Sequence, residues 1–207
     1  PSLDVRPYFK RNYLYSEAMT HILGYVGRIN DRDVERLKKE EKFANYSGST
    51  DMGKLGIERY YEEQLHGTTG FEEVEINNRG KVIRKLREQP ATAGKSIHLT
   101  IDFTLQRYIM SLLSGQKGAV VVLDPKDNSV LAMVSTPSYD NNLFVDGISS
   151  SDYKRLLEDP TRPLYSRATQ GVYPPASTVK PFVAVAALTE GVITPNTTIF
   201  DPGYWTL

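Results

Sequence analysis

The 207-residue sequence contains no cysteine. A disulfide framework and a thiolate metal site are therefore impossible. Charge of either sign is not in excess, because 25 basic side chains face 25 acidic ones. A nucleic-acid binder normally carries a basic surplus, so that class is set aside. No apolar run reaches the roughly 18 residues that a membrane-crossing helix needs. No stretch of the given sequence reads as a secretory signal peptide either. The chain opens on Pro1-Ser2-Leu3-Asp4, which does not read as a natural start. Histidine is scarce: His21, His66 and His98 lie far apart, without metal-ligand spacing. Structural or surface roles are expected for them, with no metal and no other cofactor. Internal repeats and low-complexity tracts are also missing.

What remains is the material of a folded protein. Apolar residues make up 40% of the chain, enough for a real core, and the length suits one large domain or two small ones. Residues 1–30 carry short strand-like pieces, including Gly24-Tyr25-Val26-Gly27. Residues 31–43 read as a charge-laced helix with a solvated face. Residues 44–53 read as a loop punctuated by glycine and serine. Residues 54–66 read as one helix, with Ile57, Tyr61 and Leu65 recurring every fourth position. Residues 71–77 and 81–87 alternate around the turn Asn77-Asn78-Arg79-Gly80 and predict a hairpin. Residues 90–94 look like a linker, and a domain boundary is placed there.

The second part is more regular. Ile97, Leu99 and Ile101 alternate with polar residues and predict a strand with one buried face. Asp102 or Thr104 caps a helix whose stripe is Leu105, Tyr108, Ile109, Leu112 and Leu113, closed by Gly115. The apolar runs 119–123 and 130–134 suggest antiparallel strands covered on both faces. A short helix is expected over residues 151–158. Last, Ser177 opens a helix over residues 178–190 that is apolar nearly all round, from Val179 through Phe182 to Leu188. Such a helix is expected to be buried on most sides, with Gly191 as its stop.

Ser-x-x-Lys spacing is weak by itself, since it occurs three times: Ser114 with Lys117, Ser151 with Lys154, and Ser177 with Lys180. A serine hydroxyl needs a base to become a nucleophile. A lysine becomes a base when burial disfavours its ammonium form. Residues three apart share a helix face, and a helix N-terminus favours developing negative charge. Only the Ser177–Lys180 pair is expected to meet these demands. Lys117 lies at the wrong helix end. Lys154 sits among Asp152, Arg155, Glu158 and Asp159 and is expected to be solvated. On the residues alone, Ser177 reads equally well as an ordinary helix N-cap. Glu58 reads either as a buried carboxylate tying two subdomains together or as a plain first-turn acid. The Asp201-Pro202-Gly203 turn carries no chemistry that can be assigned.

The stretch from Arg167 to Pro181, with Tyr173-Pro174-Pro175-Ala176-Ser177-Thr178-Val179-Lys180-Pro181 at its end, resembles the active-site segment of class B penicillin-binding proteins. The Tyr-Pro-Pro element resembles the elongation-specific branch more than the septal one. Further matching stretches are Gly53 to Tyr61, Asn78-Arg79-Gly80, Leu99 to Asp102 with Leu105-Gln106, and Ser135 to Asp140. The resemblance implies a D,D-transpeptidase that cross-links peptidoglycan stem peptides at the periplasmic face of the bacterial inner membrane. It implies Ser177 as nucleophile, Lys180 as base, and the Ser177 backbone N–H in the oxyanion hole. It also implies acylation by β-lactam antibiotics, one upstream transmembrane anchor, a RodA-type glycosyltransferase partner and a scaffold partner of the MreC type.

Two departures from the family pattern stand out. Ala176 occupies a position where the family usually has glycine, which puts a glycine-only backbone angle there in question. The family's downstream Ser-x-Asn and Lys-Thr-Gly motifs have no counterpart before Leu207; Lys95-Ser96 is followed by Ile97. The chain alone is thus expected to be inactive. The fold expected is α+β, with an extended non-catalytic module over residues 1–92. Residues 93–207 would open a transpeptidase domain of serine β-lactamase-like architecture, an antiparallel sheet with helices. The runner-up function is a β-lactam-sensing or structural module, and a hydrolytic β-lactamase is a third; both usually lack so large a module ahead of the serine.

Overall fold

A computed structural model describes residues 10–204. The opening Pro1-Ser2-Leu3-Asp4 and the terminal Leu207 lie outside them. Among the described residues the architecture is α+β, built from short helices and three two-stranded antiparallel sheets. It divides into two compact units, residues 1–170 and residues 171–207.

In the first unit, α1 (Ser16–Leu23) precedes β1 (Val26–Arg28). The strand-like reading of residues 1–30 holds for β1 but misses the helix before it. α1 buries Met19, Thr20 and Ile22, at the i, i+1 and i+3 positions of one helical face. Next come α2 (Asp31–Lys39), α3 (Phe43–Tyr46) and β2 (Asp51–Gly53), which pairs with β1. Asn30 and Asp33 form a reciprocal capping box at the start of α2. The supposed loop over residues 44–53 thus holds most of α3 and all of β2. Its structure comes from burial, since Leu37, Tyr46 and Met52 form a small core with Ile29 against it.

Residues 54–66 form two helices, not one: α4 (Gly56–Tyr60) and α5 (Glu62–His66), broken at Tyr61. The break lets neighbouring acids point to different partners. Glu62 accepts from the Gly53 N–H at 2.7 Å, while Glu58 turns inward. Glycine makes the seam between α1 and α4 possible. Gly24 has φ 73°, and a Cβ there would lie 2.0 Å from the Leu55 carbonyl oxygen. Gly56 has φ 59°, and a Cβ there would lie 2.5 Å from the Ile22 carbonyl oxygen.

The hairpin of β3 (Phe71–Ile76) and β4 (Val82–Gln89) forms as the alternation predicts. Asn77 Oδ1 accepts from the Arg79 and Lys81 N–H groups, and Gly80 takes φ 74° to close the turn. Residues 97–101 do not form a strand. Ile97, Leu99 and Ile101 are half-buried and their neighbours exposed, as the alternation implies. No ladder forms, however; the segment is tied at its end by Thr100 Oγ1 to the Val130 carbonyl and the Asp102 N–H to the Leu131 carbonyl. An apolar stripe needs a neighbouring backbone edge before it becomes a strand.

α6 (Phe103–Leu112) starts on the Asp102 cap, whose carboxylate accepts from the Leu105 N–H at 3.0 Å. It packs on β6 (Val130–Thr136), which pairs with β5 (Gly118–Leu123). Ile109, Ala132 and Val134 are the buried centre, with Leu105, Leu113, Val120 and Val122 packed around them. Covering on both faces fails for β5, where Val121 and Leu123 are about half exposed. Two of the five residues of the α6 stripe, Tyr108 and Leu112, also face outward. α7 (Ser150–Glu158), capped by Ser149, and α8 (Arg167–Gln170) complete this unit.

The second unit holds a 3-10 turn over Ala176–Val179 and α9 (Lys180–Thr189). Gly191, at φ 70°, ends α9 as expected. The expectation that this helix is buried is overturned. Phe182, Val183 and Val185 are each more than half exposed, and no residue of α9 is buried. A helix apolar all round needs surface on several sides, and the few other residues of its unit do not provide it. Among the described residues no helix is long and apolar enough to cross a membrane.

Candidate active site

The site begins with two prolines. Pro174 and Pro175 fix their own φ and cannot donate backbone hydrogen bonds. The chain then reverses at Ala176, whose φ is 47°, in the left-handed region. The turn is closed by Thr178, whose N–H donates to the Pro175 carbonyl at 3.1 Å and whose hydroxyl donates to the same oxygen. The Lys180 N–H donates to the Ser177 carbonyl. In a 3-10 turn, residues i and i+3 eclipse one another. Ser177 and Lys180 thereby stand on one side of the chain.

This geometry bears on the capping alternative. The helix proper starts at Lys180, with Val179 at the N-cap position and no side-chain cap. Ser177 lies within the preceding turn, so its hydroxyl is not engaged in capping α9. Both Ser177 and Lys180 are exposed. Among the described residues, no hydrogen bond joins the serine hydroxyl to the lysine amine. The desolvation expected of Lys180 is absent, for the same reason that α9 is exposed. Pro181 sits in the first turn, where its missing N–H costs nothing.

The other two Ser-x-x-Lys pairs have ordinary partners. Lys117 Nζ reaches the Pro160 carbonyl at 3.5 Å. Ser151 meets the Ser149 hydroxyl at 3.0 Å, and Lys154 lies 3.8 Å from Glu158 on an exposed face.

The first unit contains the polar features that sequence reasoning reached only in part. Glu58 is 6% exposed and satisfies both readings, being a first-turn acid and a buried carboxylate. Arg11 grips it from two nitrogens at 2.8 and 3.0 Å, and the Tyr13 hydroxyl donates to it at 3.1 Å. Burial pushes the Glu58 carboxyl above its ordinary value, opposed by the Arg11 charge and the Tyr13 hydrogen bond. Burial, then the Glu58 charge, pushes the Tyr13 phenol well up. That phenol oxygen also accepts from the Val26 N–H at 2.9 Å.

A second polar group joins Gln106 and Ser138, which lie in the matching stretches, to Asn141 and Asn142, which do not. Gln106, 1% exposed, donates from Nε2 to the Ala18 carbonyl at 2.8 Å and the Met133 carbonyl at 2.9 Å. Its Oε1 accepts from the Met133 N–H at 2.8 Å. Asn141, fully buried, donates to the Gly24 carbonyl at 2.6 Å. Asn142 exchanges two hydrogen bonds with the Tyr13 backbone, and Ser138 donates to the Glu17 carbonyl at 2.7 Å. Residues 13–24 are therefore strapped onto α6 and the segment after β6 by polar side chains, of which Gln106 and Asn141 are buried and Ser138 and Asn142 half-buried. His21 lies in this strap, edge-on to Tyr139 with ring centroids 5.7 Å apart. Its burial holds the imidazole below its ordinary pKa. His66 stacks on Tyr46, and His98 is exposed.

Known protein families divide the chain elsewhere, within its first compact unit. Residues 1–99 match the penicillin-binding protein dimerisation domain, and residues 118–207 match the penicillin binding protein transpeptidase domain. The chain is 83% identical over 207 residues to the peptidoglycan D,D-transpeptidase MrdA of Haemophilus influenzae, covering 100% of this chain and 32% of that protein. It is 64% identical to MrdA of Escherichia coli K12, covering 100% of this chain and 33% of that one. It thus spans about a third of the length of these curated relatives. Among solved structures, penicillin-binding protein 2 of Pseudomonas aeruginosa in complex with WCK 5153 superposes with TM-score 0.78 at 46% identity, over 99% of this chain and 40% of that one. The complex between penicillin-binding protein 2 and MreC from Helicobacter pylori gives TM-score 0.84 at 31% identity, over 96% and 36%.

Proposed function

From the premise that this chain belongs to the penicillin-binding proteins, we propose that it is the front part of a peptidoglycan D,D-transpeptidase acting in cell-wall elongation. Residues 1–92 are read as the non-catalytic module and residues 93–207 as the opening of the transpeptidase domain. The observation that carries the reading is the Ser-Thr-Val-Lys-Pro segment at residues 177–181, free of a capping role and lying inside the transpeptidase match.

In this reading the Ser177 hydroxyl oxygen attacks the carbonyl carbon between two D-alanines of a stem peptide. Lys180 takes the hydroxyl proton and delivers it to the departing amine. The oxygen–carbon bond forms, the carbon–nitrogen bond breaks, and the terminal D-alanine leaves. An amine of a neighbouring stem then attacks the acyl-enzyme, restoring the serine hydroxyl. The Ser177 N–H supports the developing oxyanion. Penicillins stop the cycle at the acyl-enzyme. A periplasmic setting behind an upstream membrane anchor, a RodA-type glycosyltransferase and an MreC-type scaffold belong to the same reading. The scaffold is supported by the H. pylori complex.

Fluorescent penicillin applied to the intact protein tests this. Labelling is expected, and Ser177→Ala is expected to abolish it. Labelling that survives Ser177→Ala refutes the site. Labelling without slow turnover of a stem peptide would favour the sensing module instead.

A further inference from the structure

The turn ahead of Ser177 contains a residue in a conformation its side chain resists. Ala176 has φ 47°, while Ser177 is not among the positive-φ residues. Left-handed backbone is open to glycine and tolerable for asparagine. It is poor for alanine and worst for β-branched side chains. The structure offers Ala176 no compensation through its side chain, which is exposed. The backbone around it supplies the restraint. Pro175 is locked at φ −69°, and its carbonyl receives both the N–H and the hydroxyl of Thr178. A turn closed from residue 175 to residue 178 with positive φ at its first central position is one that glycine usually occupies. Strain kept in such a place is held there by its surroundings and marks a position that sets geometry.

Resting on the reading of Ser177 as the nucleophile, we propose that Ala176 is a positioning residue. Its left-handed backbone sets the direction in which the Ser177 hydroxyl and N–H leave the chain. If residue 176 returned to negative φ, the Pro175–Thr178 closure would open. The serine N–H would then lose its aim relative to the oxygen it must support. The side chain at 176 touches no substrate in this account; only its tolerance of the backbone angle matters.

That distinction can be measured, because asparagine and valine are close in size but opposite in tolerance of positive φ. The intact protein and its Ala176→Gly, Ala176→Asn and Ala176→Val variants are titrated with a fluorescent penicillin. Non-covalent affinity and the acylation rate constant are separated, and thermal midpoints are recorded alongside. Gly and Asn are expected to acylate within about threefold of the parent, and Val to lose about tenfold or more. The loss should fall in the acylation step, not in binding. Equal losses in Asn and Val would show crowding instead of backbone angle and would overturn the proposal. So would parental acylation by Val. If Val unfolds, Asn and Gly still decide: a tenfold loss in either, with the thermal midpoint held, is fatal. Ser177→Ala is the separate control. If it keeps labelling, the nucleophile is wrong; if it loses labelling while the 176 series shows no order, only the positioning role is wrong.

Discussion

Removing the Gln106 side chain tests whether the N-terminal strap is held by buried polar groups or by apolar contact. The amide makes three hydrogen bonds, to Ala18 and to both backbone groups of Met133, at 2.8–2.9 Å. Each such bond contributes about 1 kcal/mol net, and a buried partner left without one costs about 1–3 kcal/mol. Gln106→Ala also removes the side chain's packing, worth about 1 kcal/mol per buried methylene with its cavity. The sum is about 3–5 kcal/mol, a large share of the roughly 5–15 kcal/mol that stabilises a domain. Two further variants separate the causes. Gln106→Leu restores the apolar volume but leaves the Ala18 and Met133 groups unpaired, so it should recover little. Gln106→Glu keeps the shape but turns a donor into a second acceptor facing two carbonyls, so at neutral pH it should be at least as damaging as alanine.

Urea unfolding of the intact protein gives the free energies. Hydrogen exchange then reports where protection is lost. The expected pattern is faster exchange at Met133 and across α1, with the β3–β4 hairpin unchanged. If Gln106→Leu proves as stable as the parent, or if Gln106→Ala costs under about 1 kcal/mol, the clamp argument fails and packing alone holds the strap.

Two other outcomes follow from single positions. Gly24→Ala should cost about 3 kcal/mol or more by urea unfolding, whereas Gly80→Ala, at a similar φ but with nothing within 4 Å of the new Cβ, should cost about 1 kcal/mol; equal costs would remove the steric part of the reasoning. Burial raises the folded-state pKa of Glu58 above its ordinary 4.5, so its contribution to stability is fully present below that value and lost as pH rises through the raised one. The thermal midpoint of Glu58→Gln relative to the parent should therefore climb as pH rises through that window, and a flat or falling difference would contradict the assignment.

How far the sequence could be read depended on the range of the interactions. The 71–89 hairpin, the Asp102-capped helix and the paired strands 118–123 and 130–136 were legible because turn residues, caps and periodicity act over a few positions. α1 was missed because its short stretch shows no strong stripe; it is held by residues more than 80 positions away, such as Gln106 and Asn141. The break at Tyr61 was hidden for the same reason, since it exists to aim Glu58 at Arg11 and Glu62 at Gly53. At residues 97–101 the alternation gave the buried face correctly but not the missing partner edge. Ala176 departs from the family's usual glycine in sequence, but its positive φ is visible only in the structure.

The exposure of α9 joins folding and chemistry at one helix. Covering Val183, Val185 and Phe182 would remove apolar surface from water at about 25 cal/mol per Å², which drives association of the helix with whatever surface encloses it. Lys180 opens that same helix. Enclosure would bring its ammonium into a poorly solvated setting, which favours the neutral amine a base needs. On the proposed reading of Lys180 as the base, the side chains that make the covering favourable are also those that would make it competent. A variant such as Phe182→Asp should accordingly lower both the stability and the acylation rate of the intact protein, whereas a lysine activated from within the Pro175–Lys180 turn alone would keep its rate.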